Sequence, residues 1–318
     1  MLDINKSVLS NIGSSNTSKD NNRKEILSGM STKKMVTKEQ EKIAVVTGSS
    51  SGIGFETSLL LAKNGFSTYA TVRNLDKAKS IRVIAEKGEL PIRVVELDVN
   101  SDRSVEDAID RINDESKRID VLVNNAGYSL FGALEDLSMD EIKAQFETNL
   151  FGAIRVMKAV LPIMRKQQGG TIVNVSSPMG RIAFPLISAY NGTKFALEGV
   201  SESLRYETDS FGIKIILVEP GVIRSNFASN AIVGQKAAEP SSPYAPLVKT
   251  FQKATARILD QATPPEEVAK VIVKAVTIDN PDLRYLVGND AIQMIEARKG
   301  MSDQAFRVLL EQTWLHTK

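Results

Sequence analysis

Tyr190 and Lys194 stand four residues apart in a stretch with helical spacing, so their side chains share one face. A phenol is by itself a poor base near neutral pH, with a pKa of about 10. A lysine ammonium ~4 Å away, at an effective dielectric of ~20, is worth ~4 kcal/mol, or about three pK units. That predicts a Tyr190 brought into the range of general acid–base chemistry. Ser177 stands thirteen residues earlier, at the end of an apolar run.

Other proton chemistry is scarce in this chain. Its 318 residues contain no cysteine, which excludes disulfides, thiolate nucleophiles and cysteine-ligated metals. The one histidine is His316, two residues from the C-terminus. A Ser-His-Asp triad or a multi-histidine zinc site needs imidazoles inside the fold, so no metal site is expected. Lys and Arg number 40 against 38 Asp and Glu, a net charge of +2. That balance gives no electrostatic case for nucleic acid or an anionic membrane. No apolar run approaches the ~18–20 residues that span a bilayer, and the N-terminus has no signal-type apolar segment. A soluble cytoplasmic protein is the expectation.

The elements that must position these residues alternate. Short apolar runs at 43–46, 66–72, 92–95, 119–123, 172–175, 213–218 and 284–287 read as strands. Helical stretches separate them, such as Thr57 to Lys63 and Ser104 to Arg111. Strands that are apolar throughout are covered on both faces, which predicts an α/β fold with a doubly wound parallel sheet of about seven strands. Right-handed crossovers put every strand C-terminus on one rim, where ligands bind. Ser138-x-x-Glu141 and Thr263-Pro-Pro-Glu266 read as helix capping boxes, with Pro264 at the first helical position of the second. Residues 1–40, rich in Ser, Asn and Lys, read as a disordered tail, unless translation starts at Met30 or Met35. Residues 41–290 form the expected domain, and 291–318 a C-terminal helical extension. Residues 222–262 read as a lid, loop-rich up to about 250, with Pro240, Pro243 and Pro246.

The first strand runs into Thr47-Gly48-Ser49-Ser50-Ser51-Gly52-Ile53-Gly54, and a helix follows. Glycines admit a pyrophosphate close to the backbone, and the helix N-terminus offers free N–H groups. In this motif the sequence resembles the short-chain dehydrogenase/reductase family, in its shorter, non-extended branch. Further matches follow in order: Asp98-Val99 after the third strand, Asn124-Asn125-Ala126-Gly127 after the fourth, Asn149, Ser177, Tyr190-x3-Lys194, and Pro220-Gly221-Val222 after the sixth. The resemblance spans about residues 42–290. NNAGYSLFGALEDL, residues 124–137, is similar to the subgroup with steroid and retinoid dehydrogenases. Ser225 stands where many members have Thr.

The resemblance implies a Rossmann-type fold and hydride transfer between a nicotinamide cofactor and a carbonyl or alcohol carbon. Asn149, Ser177, Tyr190 and Lys194 are the catalytic candidates it implies. Ser176 has the wrong spacing to Tyr190 by one residue and reads as a structural neighbour. Gly48, Ser50, Ser51, Gly52, Ile53, Gly54, Asp98, Val99, Asn125, Ala126, Gly127, Tyr190, Lys194, Pro220, Gly221 and Val222 are the cofactor-binding candidates. At the end of the second strand stands Arg73, where an acidic residue would select NAD. NADP(H) is therefore favoured, with hydroxyls of Ser49 and Ser50 as added donors, and NAD(H) stays open. Tyr128, Phe131, Ser177, Met179, Phe184 and Phe227 are the substrate-binding candidates. With Ile232, Val233, Tyr244, Leu247 and Val248 in the lid they point to an apolar carbonyl or alcohol. A homodimer or homotetramer is implied by analogy. A catalytically silent NADPH-binding regulator and an extended-type epimerase or dehydratase are the alternatives; the intact tetrad and the glycine spacing count against them.

Overall fold

The computed structural model describes residues 41–229, 231–259 and 261–315. The expected tail at 1–40 and His316 lie outside the described residues. Seven parallel strands form one sheet: β1 (Lys42–Val46), β2 (Phe66–Val72), β3 (Ile92–Glu96), β4 (Val121–Asn124), β5 (Gly170–Val175), β6 (Ile213–Pro220) and β7 (Arg284–Val287). Their spatial order is β3-β2-β1-β4-β5-β6-β7. The order reverses direction beside β1, between β1 and β4, so the C-terminal ends of those two strands open onto one crevice.

Burial on both faces explains the unbroken apolar runs. Val45, Leu122 and Ile172 face helices α3 (Asp102–Ser116) and α5 (Gly152–Lys166), where Ile109, Ile112, Val156 and Val160 complete one core layer. Ala44, Val46, Val123 and Val173 face α1 (Gly52–Lys63) and α8 (Pro265–Thr277) through Leu61, Val268 and Ile272. Helix α2 (Lys79–Lys87) closes the β2 side of that layer with Ile81. Helix α6 (Ser188–Thr208) packs beside α5, with Leu197 against Leu150 and Ala153.

The Ser138 capping box is present: Ser138 Oγ accepts from Glu141 N, and Glu141 Oε2 accepts from Ser138 N. It starts helix α4 (Met139–Phe146). The expected box at Thr263 is absent. Helix α8 begins one residue later, at Pro265, with no side-chain cap. The Thr263 backbone is instead bonded to Val222 and Arg224, as a bridge to Ile223.

The lid also differs from its loop-rich expectation. Ala245–Leu259 is a fifteen-residue helix, α7, with Pro246 in its first turn, where a missing N–H costs nothing. Its Phe251 stacks on Trp314 at 5.4 Å between centroids and meets Phe131 at 5.4 Å; Trp314 meets Phe184 edge-on at 5.1 Å. Helices α9 (Asn289–Lys299) and α10 (Asp303–Leu310) join this apolar cluster through Ile295 and Phe306. Residues 291–315 thus pack as part of the lid's own floor.

Candidate active site

The crevice beside β1 is lined by the glycine turn. Gly48 adopts φ +69°, a left-handed conformation that a side chain disfavours. At Gly54 a Cβ would sit 2.5 Å from both Gly48 O and Asn125 Nδ2. The turn is locked from the β4 side. Asn125 Nδ2 donates to Thr47 O at 2.9 Å and Gly48 O at 3.1 Å, while Thr47 Oγ1 accepts from the Asn125 and Ala126 amides at 2.9 and 3.1 Å. Asn125 is therefore a brace for the turn, with its side chain already engaged. Helix α1 begins at Gly52 with no side-chain cap from Ser51, which leaves first-turn amides to a ligand.

Arg73 is exposed just past β2, and Asp98 and Val99 follow β3. Asp98 Oδ1 accepts from Asn100 N, and buried Val99 packs against Gly152. Ser50 is half-buried on the turn. Ser49 does not offer the expected hydroxyl: it is fully buried and donates to Val46 O at 2.9 Å. The Pro220-Gly221-Val222 turn is held by a residue that the sequence did not single out. Asp290 Oδ2 accepts from Val222 N at 2.7 Å across 68 residues of chain, a pairing with no local sequence signal.

Asn149, Ser177, Tyr190 and Lys194 all come to the C-terminal side of β4 and β5, and all are buried. Between α4 and α5 the helix widens into a π turn, Glu147–Phe151, and Asn149 lies in it. Its Oδ1 accepts from Tyr128 N at 3.0 Å and its Nδ2 donates to Tyr128 O at 2.8 Å. Buried Gln145 repeats the pattern one turn earlier, bonding Tyr128 O and Leu130 N. Ser177 shares a hydrogen bond with the Tyr190 phenol and also accepts from Met179 N at 3.2 Å. Ser176 points elsewhere: a Cβ on Gly180 would approach its Oγ to 3.1 Å. Lys194 Nζ donates to Val175 O at 2.8 Å and lies 5.6 Å from the Tyr190 ring centroid.

The electrostatics differ from the expectation of a lowered phenol. Burial pushes the Tyr190 phenol up to about 12, against a smaller lowering by the Ser177 hydrogen bond. Burial also pulls the Lys194 ammonium down to about 8, and the Glu198 carboxylate opposes that fall. Desolvation penalises both charged forms.

On the substrate side, the exposed Phe227 ring lies 6.1 Å from that of Tyr190. Tyr128 and Met179 are half-buried, whereas Phe131 and Phe184 are buried in the aromatic cluster behind. The lid is tied down at its tip. Ser242 Oγ donates to Asp136 Oδ2 at 2.6 Å, Tyr244 Oη to Glu135 Oε2 at 2.7 Å, and Gln235 N to Glu141 Oε1 at 2.9 Å. Leu130–Phe131 and Ile232–Val233 pair as a two-residue parallel ladder beside these contacts. Among the described residues no helix is long and apolar enough to cross a membrane.

Known proteins share both sequence and fold. Residues 42–236 match the short chain dehydrogenase family. Oxidoreductase BOA17 of Botryotinia fuckeliana is 38% identical over 253 residues, covering 79% of this chain and 90% of that protein. A 3-ketodihydrosphingosine reductase of Bacteroides thetaiotaomicron is 35% identical over 249 residues, covering 78% and 88%. Bovine retinol dehydrogenase 8 is 37% identical over 252 residues, covering 76% and 80%. A short-chain dehydrogenase from Streptomyces avermitilis superposes with a TM-score of 0.72 at 31% identity, over 86% of this chain and 96% of that one. ElxO with NADP bound gives 0.67 at 28% identity, over 80% and 99%. With its Rossmann-like parallel sheet, its glycine turn and its match over most of the described residues, this protein belongs to the short chain dehydrogenase family and is an oxidoreductase acting on CH–OH donors.

Proposed function

We propose that the protein is an NADP(H)-dependent enzyme that interconverts a ketone or aldehyde with an alcohol on an apolar substrate, with Tyr190 as general acid and base. The observation that carries the reading is the convergence of Ser177, Tyr190 and Lys194, all buried, beside a turn built for a dinucleotide. The turn fits such a group: the space at Gly54 is closed to a Cβ, and α1 opens with unused amides. When bound, a nicotinamide cofactor gives or takes the hydride. Gly48 to Gly54 and Asp98 to Val99 would hold its nucleotide end, Ala126 and Gly127 its middle, and Lys194 and Gly221 to Val222 the nicotinamide end.

This chain's residues do the rest. Ser177 and Tyr190 orient the substrate oxygen by hydrogen bonds. In the reducing direction Tyr190 Oη gives its proton to that oxygen; in the oxidising direction it takes it back. Lys194 stabilises the phenolate that forms, and a positive charge brought in beside it lowers the phenol further. Asn149, within the π turn, holds the Tyr128 backbone that lines the mouth. Phe227 and the lid exclude water from the reacting carbon.

The apolar character of Phe227, Met179, Ile232 and Val233 supports an apolar substrate, as do the names of the sphingosine-type and retinol relatives. For the cofactor, exposed Arg73 supports NADP(H), as does the NADP-bound neighbour. A cytoplasmic homodimer or homotetramer remains our reading, supported by exposed Phe151 and Phe195 on the helical faces beside Asn149 and Tyr190. Arg73→Asp tests the cofactor. The ratio of kcat/KM with NADPH to that with NADH should fall by about 100-fold, as expected for a charge-assisted pair turned repulsive. An unchanged ratio rejects the NADP assignment.

A further inference from the structure

Behind Tyr190 and Lys194 lies a second group of charges that the proposed reaction does not use. Glu219, near the end of β6, is 0% exposed, and Glu198, one turn beyond Lys194 on α6, is 5% exposed. Arg284 on β7 joins them: its Nε lies 2.8 Å from Glu198 Oε2 and 3.5 Å from Glu219 Oε1. Its Nη2 reaches Glu202 Oε2 at 2.7 Å, and Arg181 Nη1 reaches Glu219 Oε2 at 3.2 Å. Three carboxylates therefore meet two guanidiniums. Two more cations flank them along α6: Arg205 beside Glu202, and Lys194, whose hydrogen-bond acceptor is a neutral carbonyl.

The contact between cluster and site is tight. A Cβ at Gly180 would fall 2.8 Å from Glu198 Cγ and 3.0 Å from Lys194 O. The turn that carries Ser177 thus rests on α6 between Lys194 and Glu198. Glu198 Oε1, Glu219 Oε1 and Ser176 Oγ are buried without a hydrogen-bond partner. Leaving buried carboxylate oxygens bare is costly, and a proton held on the cluster relieves it.

We propose that Glu198, Glu219 and Arg284 form a positioning network for Lys194, in which the buried Glu198 and Glu219 carboxylates keep the ammonium protonated through neutral pH and a proton taken up by Glu219 weakens that hold. The proposal rests on the reading of Lys194 as the partner of Tyr190. The charged and polar groups facing the cluster are Lys194, Glu202 and Arg205 from α6, Ser176 and Arg181 from the turn after β5, Glu219 from β6 and Arg284 from β7. Burial and the neighbouring Glu198 raise the Glu219 carboxyl to about 7. Below that pH Glu219 gains its proton, the cluster loses one negative charge, and Lys194 loses part of its support. Above it that charge returns.

The test reads Lys194 in the free protein by NMR of [13Cε]lysine, with its signal identified by loss in Lys194→Arg. Glu198→Gln should lower the midpoint of the Lys194 titration by about one pH unit, the scale for losing a near opposite charge. Glu219→Gln should lower it by less, and Arg284→Met, which unmasks the carboxylates, should raise it. A purely structural cluster would lower the melting temperature in all three and leave the midpoint in place; that result overturns the proposal. If Glu198→Gln does not fold, the opposed signs of the other two decide. Because no turnover is measured, an absence of ketone reduction would reject the proposed function and leave this outcome standing.

Discussion

At the residue scale, the fold favours the neutral forms of two buried groups. Tyr190 is held neutral far above neutral pH, and Lys194 is pulled toward neutrality near pH 8. The proximity of Tyr190 and Lys194 was legible in the sequence because Tyr-x3-Lys fixes two side chains on one helical face. Their electrostatics were not, because the pairwise estimate left out the desolvation that burial between β5 and α6 imposes. The Lys194 shift has a sign that can be checked. Its folded value lies below the unfolded value of 10.5, so the folded state carries a penalty that is complete below about pH 8 and fades as pH rises toward 10.5. Lys194→Met should therefore stabilise the protein at pH 7, by ~2 kcal/mol after the lost hydrogen bond to Val175 O is counted. The gain should vanish toward pH 10.5. Urea unfolding at pH 7 and pH 10 measures it, and a variant less stable than the wild type at pH 7 contradicts it.

At the element scale, strands were readable and their connections less so. Arg284–Val287 was legible to the residue, since a short apolar run flanked by polar turns leaves little choice. The capping box at Ser138 was legible because both partners lie within one turn. Thr263 was misread because a long-range partner, Val222, claims the backbone that a local cap would have used. Helix α7 was hidden by three prolines, although Pro246 falls where a helix accepts one. The lid tip is tied to the start of α4 by side chains from distant segments, so no local pattern announced it. Ser242→Ala removes the hydroxyl from Asp136 and leaves that carboxylate, only 7% exposed, without this donor. We expect ~1–2 kcal/mol less hold on the lid. Limited proteolysis should then cut between residues 230 and 245 about tenfold faster, with the rest of the chain as resistant as before. An unchanged cleavage rate would show that the tie at Asp136 does not hold the lid.

At the scale of the whole molecule, one sheet order explains why residues from 48 to 222 meet. The parallel strands deliver the glycine turn, Asn125, Ser177 and Pro220 to the same rim, and only α6 must be added to supply Tyr190 and Lys194. That layout was legible from the alternation of apolar runs. The brace from Asp290 and the charges behind Lys194 were not, because β7 and α9 return to the site from the far end of the chain. The helices that carry the tetrad also present Phe151 and Phe195, 48% and 45% exposed, on their outer faces. If these faces join subunits, Phe151→Lys with Phe195→Lys should turn an oligomer into a monomer in sedimentation velocity, and an unchanged mass places the interface elsewhere. Under the proposed function, Tyr190 moves the proton in an NADP(H)-dependent carbonyl reaction. The most direct measurement is turnover of a panel of apolar ketones with NADPH by wild type and Tyr190→Phe, alongside NADPH binding to each. The wild type should reduce at least one of them, Tyr190→Phe should lose about 100-fold or more in kcat, and the two should bind NADPH equally well. Reduction that survives in Tyr190→Phe, or tight NADPH binding with no ketone reduced by the wild type, would contradict it.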